Sequence, residues 1–153
     1  MNTILVVSDL DVLRNQIRSI LESSENQIIE LQSGRLVRQV AENTDIDLAI
    51  IDSQIGSMGG FAVVLDLHLE EYDNRIPQIP ALILLDRRAD AWMARQTSAE
   101  GFLLKPINPI KLKQAVKALL NNNTYYDSTD SPISAINTYK SAKSLPGLAG
   151  TPL

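Results

Sequence analysis

The chain has 153 residues, 44% of them hydrophobic, which suits one ordinary domain with a single buried core. It contains no cysteine and one histidine, His68, so disulfide frameworks, cysteine-ligated metals, thiol nucleophiles and multi-histidine sites within one chain are excluded. Fourteen basic against 18 acidic residues leave a formal charge of −4, which offers no broad attraction to nucleic-acid phosphates or an anionic membrane. The longest apolar run, residues 81–85, is far short of a membrane span, and the first residues lack the basic start of a signal peptide. These features predict a cytoplasmic protein that neither binds nucleic acid directly nor enters a membrane.

Residues 3–7 are a β-branched and aliphatic run that predicts a strand, and Ser8-Asp9 separates it from a helix with Leu13, Ile17, Ile20 and Leu21 on one face. A second strand is expected over 27–31, followed by a helix with Leu36, Val37 and Val40 facing inward. Residues 47–51 form a third strand with too little alternation for a face open to water, so it should be central and covered on both sides. Asp52 ends it. A glycine-rich loop, 56–60, leads to a helix over 61–71, then a strand over 80–85, a weaker helix around 89–95 and a fifth strand over 101–104. Pro109 opens a last helix in which Leu112, Ala115, Val116, Leu119 and Leu120 recur at helical spacing.

Composition changes near residue 121. The remainder is rich in Asn, Ser, Thr, Pro and Gly, and its charges, Asp127, Asp130, Lys140 and Lys143, cancel. Few large apolar side chains are available there to offset the entropy of ordering the backbone. Residues 1–121 are therefore expected to fold, and 122–153 to form a flexible, polar tail or linker. Tyr125, Tyr126, Ile133, Ile136 and Tyr139 are the exception, a short segment able to dock on a partner or on the domain itself.

Five strands alternating with five helices predict an α/β fold, a doubly wound five-stranded parallel sheet with helices on both faces. In such folds the site lies beyond the C-terminal ends of the strands. Asp9 follows strand one, Asp52 ends strand three and Lys105 follows strand five, so three charges distant in sequence converge on one edge. Two carboxylates in one pocket repel each other, and a hard divalent cation holds both ionised; oxygen donors without histidine or cysteine favour magnesium over zinc. An ammonium opposite can neutralise phosphoryl oxygens, which points to phosphoryl transfer onto Asp52. An aspartate at a strand end also commonly caps the following helix, and Ser8 is an equal candidate for that role. His68, on a predicted helix, is expected to be a solvated surface group.

Residues 4–9 (Ile-Leu-Val-Val-Ser-Asp), Leu48-Ala-Ile-Ile-Asp52 with Gly60 eight residues on, residues 80–85 and Phe102-Leu-Leu-Lys-Pro106 together resemble the receiver domain of two-component response regulators. The resemblance covers residues 1 to about 121. It implies a flavodoxin-like fold and a signalling module, not an enzyme, in which Asp52 takes a phosphoryl group from a histidine kinase or phosphotransfer protein. It further implies that Asp9, Asp52 and the backbone carbonyl of Gln54 hold Mg2+ and that Lys105 contacts the phosphoryl group. Output would pass to a downstream protein target, or to a homodimer partner, through helix four, strand five and helix five, where Trp92 could serve as an anchor if it is exposed. Inward packing is the alternative expected of Trp92.

Two residues depart from the family pattern. Ser8 stands where a second acidic residue is usual, which should weaken the hold on Mg2+. Leu85 stands where Ser or Thr usually donates to the phosphoryl group, and Phe102 holds the aromatic switch position without a phenolic hydroxyl. Asp86, Arg87 and Arg88 add charges beside the pocket. Two readings follow: a phosphorylated receiver with a modified route to its surface, or an atypical, phosphorylation-independent receiver acting as a constitutive docking module. A flavin-type small-molecule binder fits less well, because no aromatic pair stands at the strand ends. The chain could also be the first part of a longer regulator, although Pro152-Leu153 is a plausible natural end.

Overall fold

A computed structural model describes residues 1–56 and 59–127. The elements are β1 (Asn2–Val7), α1 (Asp11–Leu21), β2 (Asn26–Leu31), α2 (Val37–Asn43), β3 (Leu48–Asp52), α3 (Gly60–Tyr72), β4 (Ala81–Leu85), α4 (Ala91–Gln96), β5 (Gly101–Leu104), α5 (Pro109–Leu120) and β6 (Tyr125–Tyr126). Short 3-10 turns at Gly34–Leu36 and Arg88–Asp90 lead into α2 and α4. All pairings are parallel, in the order β2-β1-β3-β4-β5-β6, so the expected flavodoxin-like sheet is present with a sixth strand added.

Apolar residues run uninterrupted through the central strands because each face has its own core. Ile4, Val6, Leu48, Ile50, Leu82 and Leu84 pack against α1 and α5 through Leu13, Ile17, Leu112 and Leu119. The alternate residues Leu5, Val7, Ile51, Ile83, Leu85 and Phe102 pack with Val37, Val63, Val64, Leu67 and Ala94 of α2, α3 and α4. β3 and β4 are buried along their whole length. Burying an aliphatic side chain of this size contributes about 1.5–3 kcal/mol, so the sheet centre is the main source of stability. Leu36, expected to face inward, is 46% exposed, because the 3-10 turn rotates it off the buried face that Val37 occupies.

Helix starts follow local chemistry. Asn108 accepts from the backbone N–H groups of Ile110 and Lys111, with Pro109 in the first helical turn of α5. At α3 the constraint is steric: a Cβ on Gly60 would lie 2.3 Å from the Asp52 carbonyl oxygen, so only glycine lets the helix begin against the end of β3.

The domain does not stop at 121. Tyr125 and Tyr126 pair with Gly101 and Phe102, and the backbone N–H of Asp127 donates to the Phe102 carbonyl at 3.0 Å. A Cβ on Gly101 would lie 2.6 Å from the Tyr125 carbonyl oxygen, so β6 closes on β5 where β5 has no side chain. The buried Asp127 carboxylate accepts from Leu104 N–H at 2.9 Å and from Lys111 Nζ at 3.1 Å. Tyr126 stacks obliquely on Phe102, with ring centroids 5.6 Å apart, and carries the Arg95 guanidinium 3.9 Å above its ring. Average composition hides this, because two tyrosines and one aspartate suffice to cover an open sheet edge. Ile133, Ile136, Tyr139 and Pro152-Leu153 lie outside the described residues, as do Ser57 and Met58 of the glycine-rich loop.

Asp127→Ala leaves the Leu104 N–H and the Lys111 ammonium without this partner. The expected loss is about 2 kcal/mol in a urea unfolding titration; a loss within experimental error would mean that β6 adds nothing to the fold.

Candidate functional site

The strand order reverses between β1 and β3, and the sequence-predicted charges gather at the C-terminal edge there. Asp52 is the centre. Its carboxylate has no exposure, and each oxygen is engaged. Oδ1 accepts from Lys105 Nζ at 2.6 Å and from the Gln54 backbone N–H at 3.0 Å, while Oδ2 accepts from the Ser8 hydroxyl at 2.8 Å. A buried ionised carboxylate persists only when paired and hydrogen-bonded, and this one meets both conditions.

Ser8 does more than replace a charge. Its Oγ donates to Asp52 and accepts from Leu10 N–H at 3.1 Å, so it tightens the turn before α1 without being the helix N-cap, which is Leu10. Its carbonyl is held by Arg14 Nη1 at 2.5 Å, and Arg14, itself buried, also pairs with Asp11 and with Glu30 of β2. Sequence reasoning missed Arg14. An arginine on the buried face of an otherwise apolar helix stripe was the available signal.

Asp9 is exposed, and its Oδ2 accepts from Gly56 N–H at 3.0 Å, which ties the β3–α3 loop across to the end of β1. Lys105 reaches Asp52 from beyond β5 and also pairs with Asp86 Oδ1 at 3.0 Å. Burial works against its ammonium, but hydrogen bonds to Asp52 and Asp86 outweigh that effect and hold the lysine above its ordinary range. Ser53 Oγ, next to the phosphoacceptor candidate, is buried and has no hydrogen-bond partner among the described residues.

Leu85 and Phe102, the positions expected to act as a switch, sit in the core. Leu85 has no exposure and lies in the same cluster as Phe102, which is 5% exposed and covered by Tyr126. Trp92 and Met93, in contrast, are on the open side of α4. The tryptophan is 65% exposed, which overturns the expectation that it packs inward; a helix of six residues buries only Ala94 and leaves no second inward position for it.

His68 is likewise no solvated surface group. Its Nδ1 lies 3.2 Å from Glu71 Oε1, and its Nε2 lies 3.0 Å from the Ser98 carbonyl and 3.7 Å from Glu100 Oε1. Acceptors on both sides suit the doubly protonated ring, and the bond to Glu71, outweighing partial burial, raises the His68 pKa above 6.5. Burial likewise raises that of Glu100 above 4.5.

A family profile described as response regulator receiver domain matches residues 4–117. The chain belongs to that family. It is 27% identical over 140 residues to the aerobic respiration control protein ArcA of Escherichia coli K12, covering 90% of this chain and 56% of ArcA. The chain thus spans about half the length of this curated relative. The polar-differentiation response regulator DivK of Brucella ovis is 25% identical over 120 residues, 78% of this chain and 97% of DivK. Among solved structures, the signal receiver domain of a histidine kinase from Syntrophus aciditrophicus superposes with a TM-score of 0.70 at 27% identity, covering 80% of this chain and 92% of that one. The chemotaxis protein CheY4 of Vibrio cholerae gives 0.67 at 23%, covering 76% and 97%, and supports the fold alone.

Receiver domains are signalling modules that generally bind Mg2+ at an acidic pocket, and the donor chemistry here fits that ion. Asp9 and Asp52 stand at the ends of neighbouring strands and the Gln54 peptide follows, all offering hard oxygens. No group of three or more His, Cys, Asp or Glu able to hold a metal exists among the described residues. Magnesium tolerates this, since it keeps several waters and is often held by one or two carboxylates. No helix among the described residues is long and apolar enough to cross a membrane.

The His68 and Glu100 shifts have the same sign. For a raised folded-state pKa, stability is fully present below the unfolded value and is lost as pH rises through the folded one. Unfolding free energy should therefore fall as pH increases, from about 4.5 upward through Glu100 and from about 6.5 upward through His68, and His68→Gln should flatten the upper limb in denaturant titrations. An unchanged slope in the variant would remove His68 as its source.

Proposed function

We propose that Asp52 is the phosphoacceptor of this receiver. An Asp52 oxygen attacks the phosphorus of a phosphohistidine on a histidine kinase or phosphotransfer protein, the P–N bond breaks, and the electron pair returns to the imidazole nitrogen. Lys105 contacts the phosphoryl oxygens, and the Ser8 hydroxyl and Gln54 N–H keep the carboxylate oriented. Asp9, Asp52 and the Gln54 carbonyl would hold Mg2+, which would supply positive charge to offset that of the carboxylates and the incoming phosphoryl group. The observation that carries this reading is the Asp52–Lys105 contact at 2.6 Å on a carboxylate with no exposure.

A second reading, a phosphorylation-independent docking module, is favoured by Leu85. Its side chain has no hydroxyl to offer a phosphoryl group and is fully buried against the core that contains Phe102. The two are separated by treating the protein with Mg2+ and acetyl phosphate. Addition of one phosphoryl group by intact mass, abolished in Asp52→Asn, is expected; no addition to the wild type leaves the docking reading.

In either case, output passes to a protein partner or a second copy in a cytoplasmic setting. The region is α4-β5-α5, but β6 takes the free edge of β5, so contact falls on the helix faces, above all on Trp92 and Met93 of α4. Because Trp92 is largely exposed, Trp92→Ala should change unfolding free energy by less than about 0.5 kcal/mol while weakening partner binding measured by calorimetry. A large loss of stability would instead make it a packing residue.

A further inference from the structure

The parallel register of β4 and β5 pairs Leu85 with Leu104, so the residues that follow each, Asp86 and Lys105, emerge side by side at the site edge. Lys105 N–H donates to the Leu85 carbonyl at 2.9 Å, which fixes that alignment on the backbone. One ammonium therefore bridges two carboxylates, Asp52 at 2.6 Å and Asp86 at 3.0 Å. The two differ in surroundings: the Asp52 side chain has no exposure, whereas that of Asp86 is 40% exposed. Asp52 is committed to the site, and Asp86 is a charge at its rim.

We infer that Asp86 is a positioning residue that holds Lys105 in place before phosphorylation and competes with the phosphoryl group for its ammonium, so that it sets how strongly Asp52 retains a phosphoryl ligand. The inference rests on the phosphoacceptor reading of Asp52. A phosphoryl group brings between one and two negative charges to the pocket. Lys105 must swing its donors toward them, and every bond it keeps to Asp86 is one it does not make to the ligand. The Asp86 carboxylate also repels the new charge directly, at a distance of the order of one ion-pair length beyond the ammonium. Ser8 has removed one carboxylate from the β1 side of the pocket, and Asp86 supplies one on the β4 side. The first change spares Asp52 a repulsive neighbour and gives it a donor, and the second shares its lysine.

The probe is beryllofluoride with Mg2+, titrated into the full chain and followed by fluorine NMR and calorimetry, for the wild type, Asp86→Asn, Asp86→Glu and Asp52→Asn. Asp86→Asn keeps size and polarity but removes the charge, and should bind about fivefold more tightly than wild type. That gain should shrink at high salt, because Asp86 is partly exposed. Asp86→Glu restores the charge and should return affinity to near the wild-type value. Binding by Asp86→Asn but not by wild type supports the inference in its strongest form. Equal or weaker binding by Asp86→Asn, or tightening by Asp86→Glu to the same extent, overturns the inference and leaves the phosphoacceptor reading intact. No binding by any of the proteins, or binding that survives Asp52→Asn, overturns both.

Discussion

A carboxylate with no access to water organises this protein. Asp52 terminates β3 at the point where the sheet is covered on both faces, and an ionised group there must find its solvation in the protein. Three segments supply it: the end of β1 through Ser8, the peptide after β3 through Gln54, and the residue beyond β5 through Lys105. Each partner in turn has its own support. Arg14 clamps the Ser8 carbonyl, Leu85 holds the Lys105 backbone, and Asp86 shares its ammonium. The site is thus a consequence of satisfying one buried charge, and the same arrangement sets that carboxylate against a cation.

The departures from the family pattern act in a connected way. Where a second acid would stand, Ser8 donates a hydrogen bond to Asp52, which replaces repulsion with attraction and removes one acidic charge from the pocket. Where a hydroxyl would end β4, Leu85 adds to an apolar cluster that includes Phe102. That aromatic ring is then held from the outside by Tyr126, which itself lies under Arg95 of α4. A rearrangement at Phe102 would therefore be felt first by β6 and α4, not by an open edge of β5. The covering of that edge by β6 also removes unpaired backbone donors and acceptors that would otherwise recruit another strand.

Much of the scaffold was legible because hydrophobic burial on two sheet faces writes a continuous apolar run, and helices write a three-to-four residue period. The third, fourth and fifth strands, Pro109 as a helix start and the convergence of Asp9, Asp52 and Lys105 follow from that logic. The boundary at 121 did not survive, because an average over many polar residues dilutes Tyr125, Tyr126 and Asp127, whose contribution depends on pairing with β5 rather than on their number. Trp92 and His68 are illegible from sequence for related reasons. A six-residue helix has too little periodicity to say which side is buried, and a lone histidine shows nothing of the acceptors, Glu71 and the Ser98 carbonyl, that its neighbours provide.

By itself, then, the sequence determined the layered α/β architecture, the family to which the chain belongs and the identity of the charged residues at the strand ends, since these depend on local pattern and on residue type. Only the tertiary structure decided how those charges are shared: that Ser8 donates to Asp52, that Lys105 divides itself between Asp52 and Asp86, and that a sixth strand seals the sheet beside Phe102. The physical reason is register. Partners separated by tens of residues meet only because parallel strands align Leu85 with Leu104 and Phe102 with Tyr126, and that alignment is a property of the assembled sheet, not of any segment within it.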